Sequence, residues 1–279
     1  MSSLYLFRLT AVETEQGGLF ETQVPRSEFL RDLIMSKPSS EIRQGYVWHI
    51  GNVHVVDRDG LFFAAGRTTK TSKEQYDEET GNFLEIEEEE SPFTYAIYDS
   101  DYSVLGLAAK ARLAPTVKGI ARSLERLFNS QPSVKDNAIR IEVREIWDPE
   151  GFLQQIHEAY AVVGFTVEFG RPNPFDVEND FHKPTQRYLE ATGGSRGKTT
   201  VQGNDLDRER IEEVTRSVAS TGNEAKARLR KGAGQRPVTR HMRGDPVNIP
   251  REEVESEEPA SILRRIKEAY VRVRRHGGE

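Results

Sequence analysis

The sequence predicts an α+β protein: an N-terminal domain with a mixed or antiparallel sheet and packed helices, a smaller βαββ module, then a C-terminal amphipathic helix. Three observations predict it. Short runs of apolar–polar alternation, the mark of half-buried strands, recur over the first 170 residues. Segments with apolar residues three and four apart, the mark of helices, interrupt them. Charge also divides the chain. Residues 1–182 carry 18 Lys+Arg against 30 Asp+Glu, residues 183–279 carry 21 against 15, and the net charge of −6 hides this split.

Residues 4–12 alternate and are rich in aromatics, which predicts a strand, and a short helix is expected near Ser27–Met35. Strands follow at about Tyr46–Val56 and Leu61–Thr71, joined by the hairpin signal Asp57-Arg58-Asp59-Gly60. Residues 72–91 hold one lysine and nine acids, too charged to bury, and are expected to form a solvated loop. A second hairpin joins Tyr95–Tyr98 to Val104–Ala109 through Asp99-Ser100-Asp101. The strongest helix follows, with Pro115 in its first turn and Val117, Ile120, Ala121, Leu124, Leu127 and Phe128 along one stripe. Ile139, Ile141 and Val143 then alternate with Arg140, Glu142 and Arg144. Asp148-Pro149 caps a helix carrying Phe152, Leu153, Ile156 and Tyr160, and Val163–Phe169 closes a βαβ-like run.

Arg171-Pro172-Asn173-Pro174 stops both helix and sheet, so the acidic domain is expected to span 1–170 with a linker at 171–182. The basic βαββ module is placed at 183–244. It contains a strand near Lys198–Gln202, a helix near Asp207–Ser220 ending at Gly222, and strands near Ala225–Arg230 and Val238–Arg243. Residues 245–259, with three prolines and five glutamates, suggest a flexible linker before a helix near 260–275. That helix gathers Ile262, Leu263, Ile266, Ala269, Tyr270 and Val273 on one side, a face on which a protein partner or a second copy of the chain could pack through 260–279.

No apolar run approaches the ~20 residues of a membrane span, and the first eight residues read as a strand rather than a leader. With no cysteine there are no disulfides, thiol nucleophiles or thiolate zinc sites. A cytoplasmic protein with no membrane partner is expected. The six histidines are scattered and no metal site or cofactor is called for.

The strongest chemical signal is the strand 225–230. Alternation puts Ala225, Ala227 and Leu229 on one face and Lys226, Arg228 and Arg230 on the other. Cations at every second position lie roughly 7 Å apart, close to the phosphate spacing of a nucleic-acid strand. Lys231 extends the row, Arg240 and Arg243 lie in the partner strand, and residues 223–244 hold seven Lys+Arg against one acid. The bland alternative is an ordinary wet sheet face. Gly193-Gly194-Ser195-Arg196-Gly197-Lys198-Thr199 resembles a phosphate loop only in part. Thr192 stands where the first glycine is required, and the run follows a helix expected at 185–191 and precedes a strand, the reverse of a P-loop. Arg196 and Lys198 are retained as phosphate contacts. A secondary ridge of Lys118, Arg122 and Arg126, four residues apart, lies opposite the apolar stripe of its helix, where an ordinary solvated face is the simpler explanation.

These residues predict a binding protein rather than an enzyme, contacting the backbone of DNA or RNA through the C-terminal module. Its setting would be nucleic-acid maintenance or antiviral defence. The alternatives are a metal-dependent nuclease whose carboxylates meet only in the fold, with Asp99 and Asp101 as candidate acids that more often serve turns, and a protein-interaction or oligomerisation module. The run Glu85–Glu90 is a solubilising loop, a docking site for a basic partner, or an internal cover for the basic module.

Overall fold

The computed structural model describes residues 3–13, 26–170, 184, 188–189, 191–194, 196–242, 246–250 and 258–274. The strands are β1 (Leu4–Glu13), β2 (Ser39–Arg43), β3 (Tyr46–Val55), β4 (Gly60–Asp77), β5 (Asn82–Glu90), β6 (Phe93–Asp99), β7 (Val104–Ala108), β8 (Ile139–Glu145), β9 (Ala161–Gly170), β10 (Arg196–Gln202), β11 (Ala225–Arg230), β12 (Val238–His241) and β13 (Asn248–Ile249). The helices are α1 (Arg26–Met35), α2 (Val117–Ser130), α3 (Pro132–Asp136), α4 (Glu150–His157), α5 (Arg208–Ser220) and α6 (Pro259–Arg274). The predicted α+β class holds.

The strands form two antiparallel sheets. The larger runs β13-β1-β7-β6-β4-β3-β2, with β8 on β1 and β5 on β4, and the smaller runs β10-β9-β11-β12. Both faces of the larger sheet are covered. Phe7, Leu9 and Ala11 of β1 face a core closed by α1 and α2, while Leu4 and Leu6 face a second core with α6. Burial on both faces explains why β7, Val-Leu-Gly-Leu-Ala, is buried at every position and reads as a continuous apolar run. Gly106 admits α6 to the sheet: a Cβ there would lie 2.4 Å from Ile266 Cδ1.

The second core continues from Leu4, Leu6, Ile97 and Val104 through α6 and α5 to Phe165, Val167, Ala225, Ala227 and Leu229 of the smaller sheet. The expected boundary after residue 170 therefore does not divide the packing. β9 pairs with β10 on one side and β11 on the other, so the last strand assigned to the acidic front is central to the basic sheet. β8 and β9 lie in different sheets, so the βαβ-like run is not a crossover within one sheet. The segment 245–259 is not wholly a linker either. Val247 accepts from the Leu6 N–H, and β13 pairs with Leu4 and Tyr5.

The apolar side of α6 is occupied within the chain. Ile262, Leu263, Ile266, Ala269, Tyr270 and Val273 are buried against the larger sheet and α5, so the expected docking face is not open to a partner. Beneath it Arg8 donates to Tyr270 Oη at 2.6 Å and to the Tyr102 carbonyl, and Lys267 Nζ lies 2.9 Å from the buried Asp99 carboxylate.

Two elements go beyond what the sequence predicts. Residues 72–91 form no loop: β4 runs on to Asp77 and pairs with β5 from Thr69↔Glu90 to Asp77↔Asn82, an arm extending roughly 35 Å beyond Gly66. Its strands are exposed almost throughout, and Tyr76 and Phe83 meet near its tip with ring centroids 5.1 Å apart. Replacing residues 71–88 with a two-residue Asn-Gly turn is expected to leave the melting temperature of the body within a few degrees, read by circular dichroism, because the arm adds little to either core. The other is Gly222, at φ +71, where a Cβ would lie 2.8 Å from Arg144 Cβ and 3.1 Å from the Glu145 carbonyl. This close approach seats the end of α5 against β8. Gly222→Ala is expected to cost about 2 kcal/mol in urea unfolding, from left-handed strain and the clash with β8.

Candidate nucleic-acid interface

β11 alternates as its sequence requires. Ala225, Ala227 and Leu229 are buried beneath α5, while Lys226 and Arg230 are half-buried and Arg228 exposed on the outer face. Register extends that face across the sheet. Lys226 stands opposite Thr166 on β9 and His241 on β12, and Arg228 stands opposite Gly164 and Thr239. On the far side of β9, Thr200 pairs with Thr166, Lys198 with Glu168 and Arg196 with Gly170. Arg196 and Lys198 thus join Lys226, Arg228 and Arg230 on one surface, two strands or roughly 10 Å away. Small residues separate the cations, and the alkyl stem of Arg228 lies along Gly164, whose missing Cβ would be 3.4 Å from Arg228 Cδ. Among the described residues, the main helix packing of this sheet comes from α5 on its other face.

The charge on this face is largely uncompensated. Lys198 lies 3.8 Å from Glu168 and Arg196 lies 4.0 Å from Glu142. Among the described residues no carboxylate lies within ion-pair distance of Lys226, Arg228 or Arg230. Phe, Tyr and Trp are absent from the described strand positions of the face, where His241 is the one ring, but the exposed Tyr160 donates its N–H to the Arg230 carbonyl at 2.9 Å and stands at the end of the row.

The other predicted contacts fall elsewhere. Lys231 is exposed in the turn after β11. Arg240 is opposite Ala227, which places it on the α5 side of the sheet rather than with Arg228. Pairing in register reverses the assignment because residues directly opposed across an antiparallel pair share a face. Arg243 lies outside the described residues, as does most of the helix expected at 185–191. Gly197, Lys198 and Thr199 sit within β10, with the Phe169 ring filling the space above Gly197, so this run is a strand and not a phosphate-wrapping loop. The ridge on α2 belongs to a different surface, because α2 packs on the opposite face of the larger sheet. Lys118 there is held by Glu145 and lies 5.7 Å from the centroid of the Trp147 ring, while Arg122 and Arg126 are exposed.

Sequence reasoning missed Arg140, Glu142 and Arg144, whose alternation on β8 marks a polar face without saying what it meets. They point to the side of the larger sheet that the smaller one approaches. Arg140 and Arg144 both pair with Glu142, and Arg144 donates to Asn223 Oδ1 at 3.0 Å. Burial lowers the Arg144 pKa; Glu142 opposes this, and Arg196 and Arg140 add to the lowering.

Of the two candidate nuclease acids, Asp99 has other work. Asp99 Oδ1 accepts the Tyr102 N–H at 2.7 Å, closing the turn, and its carboxylate pairs with Lys267. Among the described residues no three of His, Asp and Glu are grouped to hold a metal ion, and no helix is long and apolar enough to cross a membrane. The acidic arm points away from the Arg140–Arg144 end of the larger sheet. Along the larger sheet it leaves past the Leu4 end, whereas Arg140 and Arg144 lie opposite Val12 and Arg8 towards the other end. No protein-family model matches the chain, and no curated protein matches its sequence.

Proposed function

We propose that this protein binds DNA or RNA through the phosphate backbone, on the outer face of the β10-β9-β11-β12 sheet. One observation carries the proposal: Lys226, Arg228, Arg230, Arg196 and Lys198 share one sheet face, spaced by Gly164, Thr166 and Thr200. Lysine and arginine in such a row exchange condensed counterions for protein charge, which favours binding without regard to base sequence. The described strand positions of the face carry no Phe, Tyr or Trp and only His241 as a ring, so stacking of unpaired bases contributes little and a duplex or a shape-read RNA suits it better.

The test is fluorescence anisotropy with a labelled duplex, a single-stranded DNA and a structured RNA, each in a salt series. Micromolar or tighter binding to the duplex is expected at ~50 mM salt, falling about 150- to 500-fold by ~200 mM, as four or five phosphate contacts require. Absence of binding to all three at ~50 mM would overturn the proposal.

A further inference from the structure

We propose that the corner between the two sheets, formed by Arg140 and Arg144 on β8 and Arg196 on β10, is an anion site that takes a phosphate group and anchors the bound strand. The identity of that phosphate as part of a nucleic-acid backbone rests on the function proposed above; the anion site itself rests on the corner's geometry.

Three guanidinium groups converge on one carboxylate. Arg140 bonds Glu142 Oε1, Arg144 bonds Glu142 Oε2, and Arg196 stands 4.0 Å from Oε1, beyond hydrogen-bond reach. Glu142 is nearly buried, and each of its oxygens already serves one arginine. The corner is left with two positive charges in excess, and the Arg140 and Arg196 side chains are 51% and 67% exposed, so donors remain open to solvent. Arg144, by contrast, is fixed from behind by Asn223 Oδ1 and by the close approach of Gly222. A fixed guanidinium flanked by two open ones suits a tetrahedral oxyanion: Arg196 can offer two parallel N–H groups, and Arg140 the donors that Glu142 leaves unused. Burial lowers the Arg144 pKa and the like charges of Arg196 and Arg140 add to it, and a second anion would offset those like charges.

The corner is also in line with the row. Asn223, which holds Arg144, is three residues before Lys226, so β11 leads from Arg230 through Arg228 and Lys226 towards the corner over roughly 23 Å. Arg196 links it to Lys198 on the other side of β9. A backbone lying along β11 would reach the corner with its next phosphates.

A purely structural latch between the sheets would use the same contacts, and the variants separate the two roles. Inorganic pyrophosphate is the probe, added to the full chain against sodium chloride of equal ionic strength and followed by calorimetry and by melting temperature. Binding is expected for the wild type and a loss of at least ten-fold for Arg140→Gln/Arg196→Gln, whose side chains are exposed enough to change without unfolding the protein. Glu142→Gln is expected to tighten pyrophosphate several-fold, whereas Glu168→Gln on the neighbouring face leaves it unchanged. The Arg140→Gln/Arg196→Gln variant should also weaken duplex binding at least ten-fold. No pyrophosphate binding by the wild type, or equal binding by the double variant, overturns the anion site, even where the Lys226 and Arg228 row still binds nucleic acid. Pyrophosphate binding that depends on these arginines, in a chain that binds no nucleic acid, supports the anion site and overturns the function proposed above.

Discussion

Reversing the charge at Lys226 and Arg228 together, as Lys226→Glu/Arg228→Glu, is expected to weaken nucleic-acid binding at least a hundred-fold at ~50 mM salt while leaving the fold intact. Both side chains lie on the outer face, with the apolar half of β11 turned inward to α5, so the substitution leaves the core packing unchanged. Every phosphate that is no longer neutralised should flatten the plot of log affinity against log salt by about one unit, so the double variant should show a slope about two units shallower. The inward-facing Arg240 supplies the comparison: Arg240→Glu should have a much smaller effect. A double variant that melts like the wild type and binds with the wild-type slope would move the site off this face.

The largest expected effect on stability comes from Lys267→Met. Asp99 is fully buried at the end of β6, and Lys267 on α6 is its cationic partner at 2.9 Å. Truncating one member of a buried pair strands the other, at a cost of about 3 kcal/mol, which lowers the melting temperature by roughly 5 °C in a chain of this size. Asp99→Asn in the same chain should restore part of that loss, because an amide is cheaper to bury than an unpaired carboxylate.

The pH dependence follows from the same pair. Burial disfavours the Lys267 ammonium, but the hydrogen bond and charge of Asp99 outweigh it and raise its pKa. A cation with a raised pKa contributes its full stability below its unfolded value, about pH 10.4, and loses it as pH rises through the folded value. Burial also raises the Asp99 pKa, against the opposing Lys267 and the Tyr102 N–H. An acid with a raised pKa favours the fold most below its unfolded value, about pH 3.9, and this advantage fades as pH climbs through the folded one. In Lys267→Met the Asp99 shift grows, so the deficit against wild type should be greatest near neutrality and shrink towards pH 4. Melting curves from pH 4 to 11 test both signs.

Elements set by local chemistry were legible in the residues. The stripe of α2, the inward and outward faces of β11 and the buried side of α6 all follow from spacing within one segment, and each is buried as that spacing requires. The Asp57 turn is equally local, its carboxylate accepting from the Asp59 and Gly60 N–H groups. The acidic arm is not legible as a strand pair because charge density reports exposure, and an exposed ribbon whose backbone bonds are satisfied by its own two strands is as polar as a loop.

Pairing between distant segments was decided only by the tertiary structure. A strand's sequence carries its period but not its neighbours, so nothing local to Ala161–Gly170 announces that it lies between β10 and β11. A fragment beginning after residue 170 would therefore lack the central strand of the basic sheet. Arg240 and the α6 face turned on the same kind of information: register put one on the α5 side, and packing covered the other. The Arg140, Glu142, Arg144 and Arg196 corner draws on strands far apart in the chain and exists only where two sheets meet. By itself the sequence determined which residues are charged and which way each strand's side chains alternate. The fold decided which of those charges stand together, because a shared surface is a property of register and packing rather than of any one segment.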